Sequence, residues 1–425
     1  MTPLLVLAES DGGATRVLAV FTGIALVGIA ATFATTRIYA RLQRRRWVAA
    51  LTAGGWFAML TGVLIGPRVL AVVDGSGVQP LRPILDVALA WIGLIIGLQL
   101  RRALVLAIPP TLVRWLRNDS AASLLAGIAT VIAWWFIARP EVDPEVFGIT
   151  VIGLVAAFIG WAPETRSLRP ALTPRSGELA QLVQAGGGLG AVLTVLLFGF
   201  GTLFIRFGPG DPSVVAPWTG LMELGLSALI AILLGFGAKI LLRQTTGAPQ
   251  ESLVVTLALV LLAAGFAAAF GLSPLLNGLL TGVVIANLRD PHLRDLERAL
   301  QRAEPGMAVL MLIASGSLVG DADLLAATLL GLSIAGIRLL LKPFIARSTV
   351  GSDFSDLSGR DALFLGPARV PLVAIAVAVG PAIATENPIA DTVLAAVMIA
   401  TLLGAVLPGI AGRRPAAESV TEAAT

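Results

Sequence analysis

The chain contains no cysteine, so disulfides and thiolate metal sites are excluded, and the redox state of its compartment leaves no trace in it. Charge is scarce too: 13% of the 425 residues are Asp, Glu, Lys or Arg, about half the share of a soluble domain. Lysine occurs only at Lys239 and Lys342, and histidine only at His292, in a charged stretch where a surface position is expected ahead of a pH-sensing one. No His-Glu-x-x-His, nucleophile elbow, Walker sequence or paired intramembrane Asp is present, so enzyme chemistry, a metal centre and a cofactor are not expected. The pI of about 10.5 does not point to nucleic acid, because the basic residues form no aromatic-rich soluble face.

What the chain has in abundance is apolar length. It is 56% hydrophobic, with a mean hydropathy of +0.89, which marks a polytopic protein embedded in membrane lipid. Runs of roughly 20 apolar residues cross a bilayer. Thirteen are expected, near 17–36, 48–66, 83–100, 120–138, 146–169, 178–205, 215–238, 252–270, 272–288, 305–320, 324–346, 362–384 and 389–411. The fold class is therefore an all-α integral membrane domain over 17–411, with a stub at 1–16 and a disordered tail at 412–425. Ala103–Leu116 is apolar but short and carries Pro109-Pro110, so it reads as an interfacial segment. Arg289–Glu304 and Arg347–Asp361 mix both charges and read as solvated connectors. No basic segment precedes the short apolar run Leu4–Leu7, so a cleaved signal peptide is not expected.

Charge distribution orients these spans. With the N-terminus outside, 23 of the 30 basic residues fall in inner segments and five in outer ones, and Arg338 and Arg369 remain within spans. The outer loops are instead acidic or neutral, as in Glu141-Val142-Asp143-Pro144-Glu145 and at Asp321 and Asp323. This skew follows the positive-inside rule and implies an inner or plasma membrane location with a cytoplasmic C-terminus.

Two spans are interrupted. The fifth carries Gly160-Trp161-Ala162-Pro163-Glu164, and the twelfth Gly366-Pro367-Ala368-Arg369-Val370-Pro371. Proline removes a helical hydrogen bond and clashes with the preceding turn. Broken backbone at membrane depth is tolerated only inside protein or along water. If spans 2–6 and 9–13 are repeats, covering about 48–205 and 272–411, each break lies in the fourth helix of its repeat. The offset of seven spans is odd, so the repeats run in opposite directions. That arrangement, two discontinuous helices crossing near the midplane, is the plan of a secondary transporter. It rests on order and punctuation, since no strong residue-level self-similarity is visible.

Gly62-Val63-Leu64-Ile65-Gly66-Pro67, Ile92-Gly93-Leu94-Ile95-Ile96-Gly97-Leu98, Phe270-Gly271-Leu272-Ser273-Pro274 through Ala286-Asn287, Arg338-Leu339-Leu340-Leu341-Lys342 and Pro367-Ala368-Arg369 occur in order on these spans. Together they resemble the monovalent cation:proton antiporter superfamily, in particular its Kef-type and sodium/proton exchanger branch. The resemblance runs over nearly the whole chain. It implies a homodimer that exchanges a small cation, sodium or potassium, for protons by alternating access. It also implies one or two adjacent acids in the helix after the first break, where this chain has Gly190 and Ala191. The first break of the family carries hydroxyl or carboxylate ligands, where this chain has Trp161-Ala162-Pro163.

Candidate pathway residues follow. Arg338 stands nine residues, about 13 Å of helix, before Arg347. It can snorkel inward, pair with carbonyls of a broken helix or face an anion; in the family this region pairs with the site acid. Lys342 shares its face one turn on. Arg369, inside the second break, can cap carbonyls or meet an anionic group. Glu164 is the acid nearest the expected site and can equally pair with Arg166 or Arg169. Gln181 and Gln184 can lend amide oxygens to an ion or join helices. Glu223 is the clearest acid within a span, and an interhelical hydrogen bond is expected of it. Two other functions stay open: transport of an anion past Arg338 and Arg369 in an acid-free site, and a transport-inactive scaffold or sensor.

Overall fold

The computed structural model describes residues 56–66, 82–102, 110–138, 154–155, 191–199, 201, 205–206, 213–214, 217–244, 249–288, 293–320, 322–350, 375–376, 378–379 and 388–411. Among them the helices are α1 (Trp56–Ile65), α2 (Arg82–Leu98), α3 (Pro110–Ala138), α4 (Pro217–Gln244), α5 (Pro249–Phe270), α6 (Pro274–Asn287), α7 (Leu293–Ser317), α8 (Leu324–Val350) and α9 (Pro388–Ala411). Residues 191–199 are helical as well. A two-residue antiparallel ladder, β1 (Ile205–Arg206) with β2 (Ser213–Val214), departs from the all-α expectation and is the sheet structure among the described residues.

Three boundaries differ from the sequence reading. Residues 110–116 are not a separate interfacial segment: they open α3, a helix of 29 residues, or about 43 Å. Pro110 sits at its first position, where the missing N–H costs nothing. Likewise residues 293–304 are not a loose connector but the first half of α7, which runs on through Pro305. Their apolar residues recur at helical spacing, and Leu296, Ala299 and Leu300 are buried while the charges face out. The charges concealed an amphipathic helix. In the same way, α8 continues through Arg347 to Val350.

The turn between α5 and α6 explains one of the sequence motifs. Gly271 adopts φ 68°. The N–H of Leu272 donates to Ala267 O at 2.8 Å and that of Gly271 to Ala268 O at 3.4 Å, closing α5 in a Schellman cap. Ser273 then caps α6, accepting from Leu276 N, with Pro274 at the first helical position.

Among the described residues the helices form two groups, and every extensive contact between those helices lies inside one or the other. One group comprises α1, α2, α4, α5, α6 and α7; the other, α3, α8 and α9. Backbone meets backbone in the first. A Cβ on Gly97 of α2 would lie 2.1 Å from Leu279 O and 2.9 Å from Gly282 Cα of α6. A Cβ on Gly282 would lie 2.4 Å from Leu94 O. Where α1 crosses α7 the pattern is the same: Gly62 faces Ile313 O and Gly316 Cα, and Gly316 faces Met59 O and Gly62 Cα. Small residues at these positions let the helices approach closely. An apolar cluster spans both groups, with Met59, Leu89 and Met311 from one and Val131, Ile334 and Val397 from the other.

The outer faces remain apolar. Leu125, Ile132 and Phe136 of α3, and Leu221, Leu233 and Phe236 of α4, are exposed. Helices α3, α4, α5 and α8 each hold a stretch long and apolar enough to cross a bilayer. Outward-facing side chains of this kind belong in lipid.

Candidate functional site

The charged centre of the described molecule lies where α3 meets α8. Arg338 is 1% exposed and Asp119 8%. The guanidinium binds the carboxylate through two bonds: Nη1 donates to Oδ1 at 2.9 Å and Nη2 to Oδ2 at 3.0 Å. Nη1 also donates to Ser123 Oγ. Ser123 lies one turn beyond Asp119 on the same face, is fully buried, and donates its own hydroxyl proton to Asp119 O at 2.5 Å. A planar, two-pronged arginine–carboxylate pair is the strong form of this interaction. Within apolar surroundings each ion depends on the other, because an unpaired buried charge is very costly.

Arg338 is therefore buried against Asp119 and does not snorkel to the inner interface; the broken helices that the sequence also offered it lie outside the described residues. It does not face an acid-free space either, since Asp119 lies directly against it. Asp119 and Ser123 escaped the sequence reading. Asp119 follows Arg114 and Arg117 and falls just ahead of the expected span at 120–138. The available signal was the i,i+4 spacing of Asp119 and Ser123, which puts two polar groups on one helix face.

The other candidates separate. Glu223 is half-buried on α4, in the six-helix group rather than beside Arg338. Ala191, at one of the positions where the resemblance implies an acid, is buried in the apolar cluster with Val192 and Val195. Lys342 belongs to α8, one turn from Arg338, but its side chain lies outside the described residues, as do Gly190, Glu164, Gln181, Gln184, Arg369, His292 and the prolines Pro163, Pro367 and Pro371. Among the described residues no group of three or more His, Cys, Asp or Glu comes together to hold a metal.

Other polar ties hold each group together. In the six-helix group, Arg101 Nη2 donates to Glu297 Oε2 at 2.7 Å, joining the end of α2 to the start of α7. Asn287, at the end of α6, donates to Leu100 O at 3.2 Å and accepts from Arg102 N at 3.0 Å. In the three-helix group, Asp323 caps α8 while its own N–H donates to Thr392 of α9 at 2.9 Å.

A lipid-faced helical protein with a buried ion pair between two of its spans is an integral membrane protein, and its fold is of the ion-antiporter type. It is similar to the sodium proton antiporter MjNhaP1 from Methanocaldococcus jannaschii at pH 8, with a TM-score of 0.57 and 18% identity over 92% of this chain and 97% of that one. An electron-microscopy structure of the same antiporter gives a TM-score of 0.55 and 15% identity, covering 96% of each chain. At such identities the likeness is one of fold. No protein-family model and no curated protein matches the sequence.

Proposed function

We propose that this chain is a secondary active transporter that exchanges a monovalent cation, sodium or potassium, for protons by alternating access. In this reading the three-helix group, with the spans broken at Pro163 and at Pro367 and Pro371, rocks against the six-helix group. The supporting observation is the division of the described helices: among the described residues extensive contact lies within each group, and the groups share an apolar seam. Packed bodies separated by such a seam can shift as units. The structural likeness to a sodium proton antiporter over nearly the whole chain adds to it. The matching glycine crossings, α1 with α7 and α2 with α6, favour two inverted repeats over unrelated halves. The orientation follows the basic inner loops, with the C-terminus in the cytoplasm, and a homodimer follows from the resemblance.

An anion site at Arg338 gains no support, because its terminal nitrogens are engaged by Asp119 and Ser123. The test is proton flux in proteoliposomes carrying a pH gradient, with Na⁺, K⁺ and then anions added. The expected result is dissipation of the gradient on adding Na⁺ or K⁺. Silence with both cations, or a response to anions alone, contradicts the proposal.

A further inference from the structure

The two glycine crossings share one reciprocal contact pattern, and the order of the expected repeats pairs α1 with α6 and α2 with α7. Gly97 meets the carbonyl three residues before Gly282, and Gly316 meets the carbonyl three residues before Gly62. That pairing carries Gly97 onto Gly316, 219 residues away, and Gly62 onto Gly282, 220 residues away. The same separation of 219 divides Asp119 from Arg338. Equivalent positions of two halves can touch each other only close to the axis that relates them. Asp119 and Arg338 thus meet at the interface between the halves, and transporters built this way bind their ions at that interface.

We propose that Asp119 is the carboxylate that carries the exchanged proton and cation, with Ser123 Oγ as a second oxygen ligand and Arg338 as the counter-charge of the unloaded state. This rests on the exchanger reading above. An ionised carboxylate in this setting always needs a partner, and three can serve: the guanidinium, a proton or a monovalent cation. The structure shows the first. In the loaded states Arg338 turns away from the carboxylate. One proton leaves Asp119 as one monovalent cation arrives, so charge balances at this residue. Among the described residues the helix packed extensively against α3 is α8, whose charged residues are Arg338, Lys342 and Arg347. On α3 itself, Arg114 and Arg117 are exposed. Other described acids lie elsewhere: Asp391 in the first turn of α9 and Glu223 on α4.

The alternative is that the pair is only a tie between α3 and α8. The full chain, reconstituted and also melted in detergent, separates the two with Asp119→Asn, Asp119→Glu and the exchange Asp119→Arg/Arg338→Asp. Asp119→Asn is expected to abolish cation–proton exchange. Asp119→Glu is expected to retain exchange with a displaced pH profile and a changed apparent KM for the cation. The exchanged pair is expected to regain a melting temperature near that of the unsubstituted chain without regaining exchange, because the acid then sits on α8, away from Ser123. The proposal is overturned if Asp119→Asn exchanges normally, if Asp119→Glu leaves both pH profile and KM unmoved, or if the exchanged pair restores transport as well as stability. If the unsubstituted chain moves no proton with Na⁺ or K⁺, the exchanger reading falls and takes this proposal with it. If it does exchange while any of those three results appears, only the assignment of Asp119 falls.

Discussion

Where α2 crosses α6, carbonyl and Cα of one helix press on the glycines of the other, and nothing at the contact can change partner. Where α3 meets α8, a carboxylate, a guanidinium and a hydroxyl hold the helices by bonds that other species could replace. The first contact gains from dispersion and close fit and resists any added atom. The second is favourable only while both charges remain, and is exposed to whatever alters either one. A framework suited to staying fixed and a centre suited to switching thus occupy different helix groups of one chain.

Substitutions should expose that difference. The largest effect is expected from Arg338→Leu, which strands a buried carboxylate; a loss of roughly 3–5 kcal/mol should appear as a lower unfolding midpoint in detergent. The double change Asp119→Leu/Arg338→Met should recover most of it, because neither charge is then left alone. A double variant as weak as the single one would contradict the pairing. Next comes Gly97→Val, whose Cβ would meet Leu279 O at 2.1 Å. Overpacking against backbone should cost at least roughly 1–3 kcal/mol, with no second change at one side chain able to restore it. Arg101→Ala removes a half-exposed pair with Glu297 and should cost under about 1 kcal/mol, less still in high salt. Smallest is Gly265→Ala, where the added Cβ meets nothing within 4 Å; melting should show no loss, and a loss as large as that at Gly97 would refute the packing argument.

Much of this was legible from the residues. Apolar runs located spans that overlap α1 to α9, and Arg338 stood out as a charge at depth. Two features were obscured by charge. The helical start of α7 looked like a solvated loop until Leu296 and Leu300 were seen to be buried. Asp119 drew no notice beside Arg114 and Arg117, just ahead of the expected span, and its partner is 219 residues away, beyond any local pattern. The likeness of the two glycine crossings was invisible for another reason: it resides in backbone contacts, which many sequences can make. The breaks at Pro163, Pro367 and Pro371 lie outside the described residues.

The absence of cysteine permits the most direct test of movement between the groups. A single engineered cysteine pair placed across the seam between the two helix groups, cross-linked after reconstitution, can be read by cation-driven proton flux before and after reduction. The account predicts that the cross-link stops flux and that reduction restores it. Undiminished flux through fully cross-linked protein would contradict it.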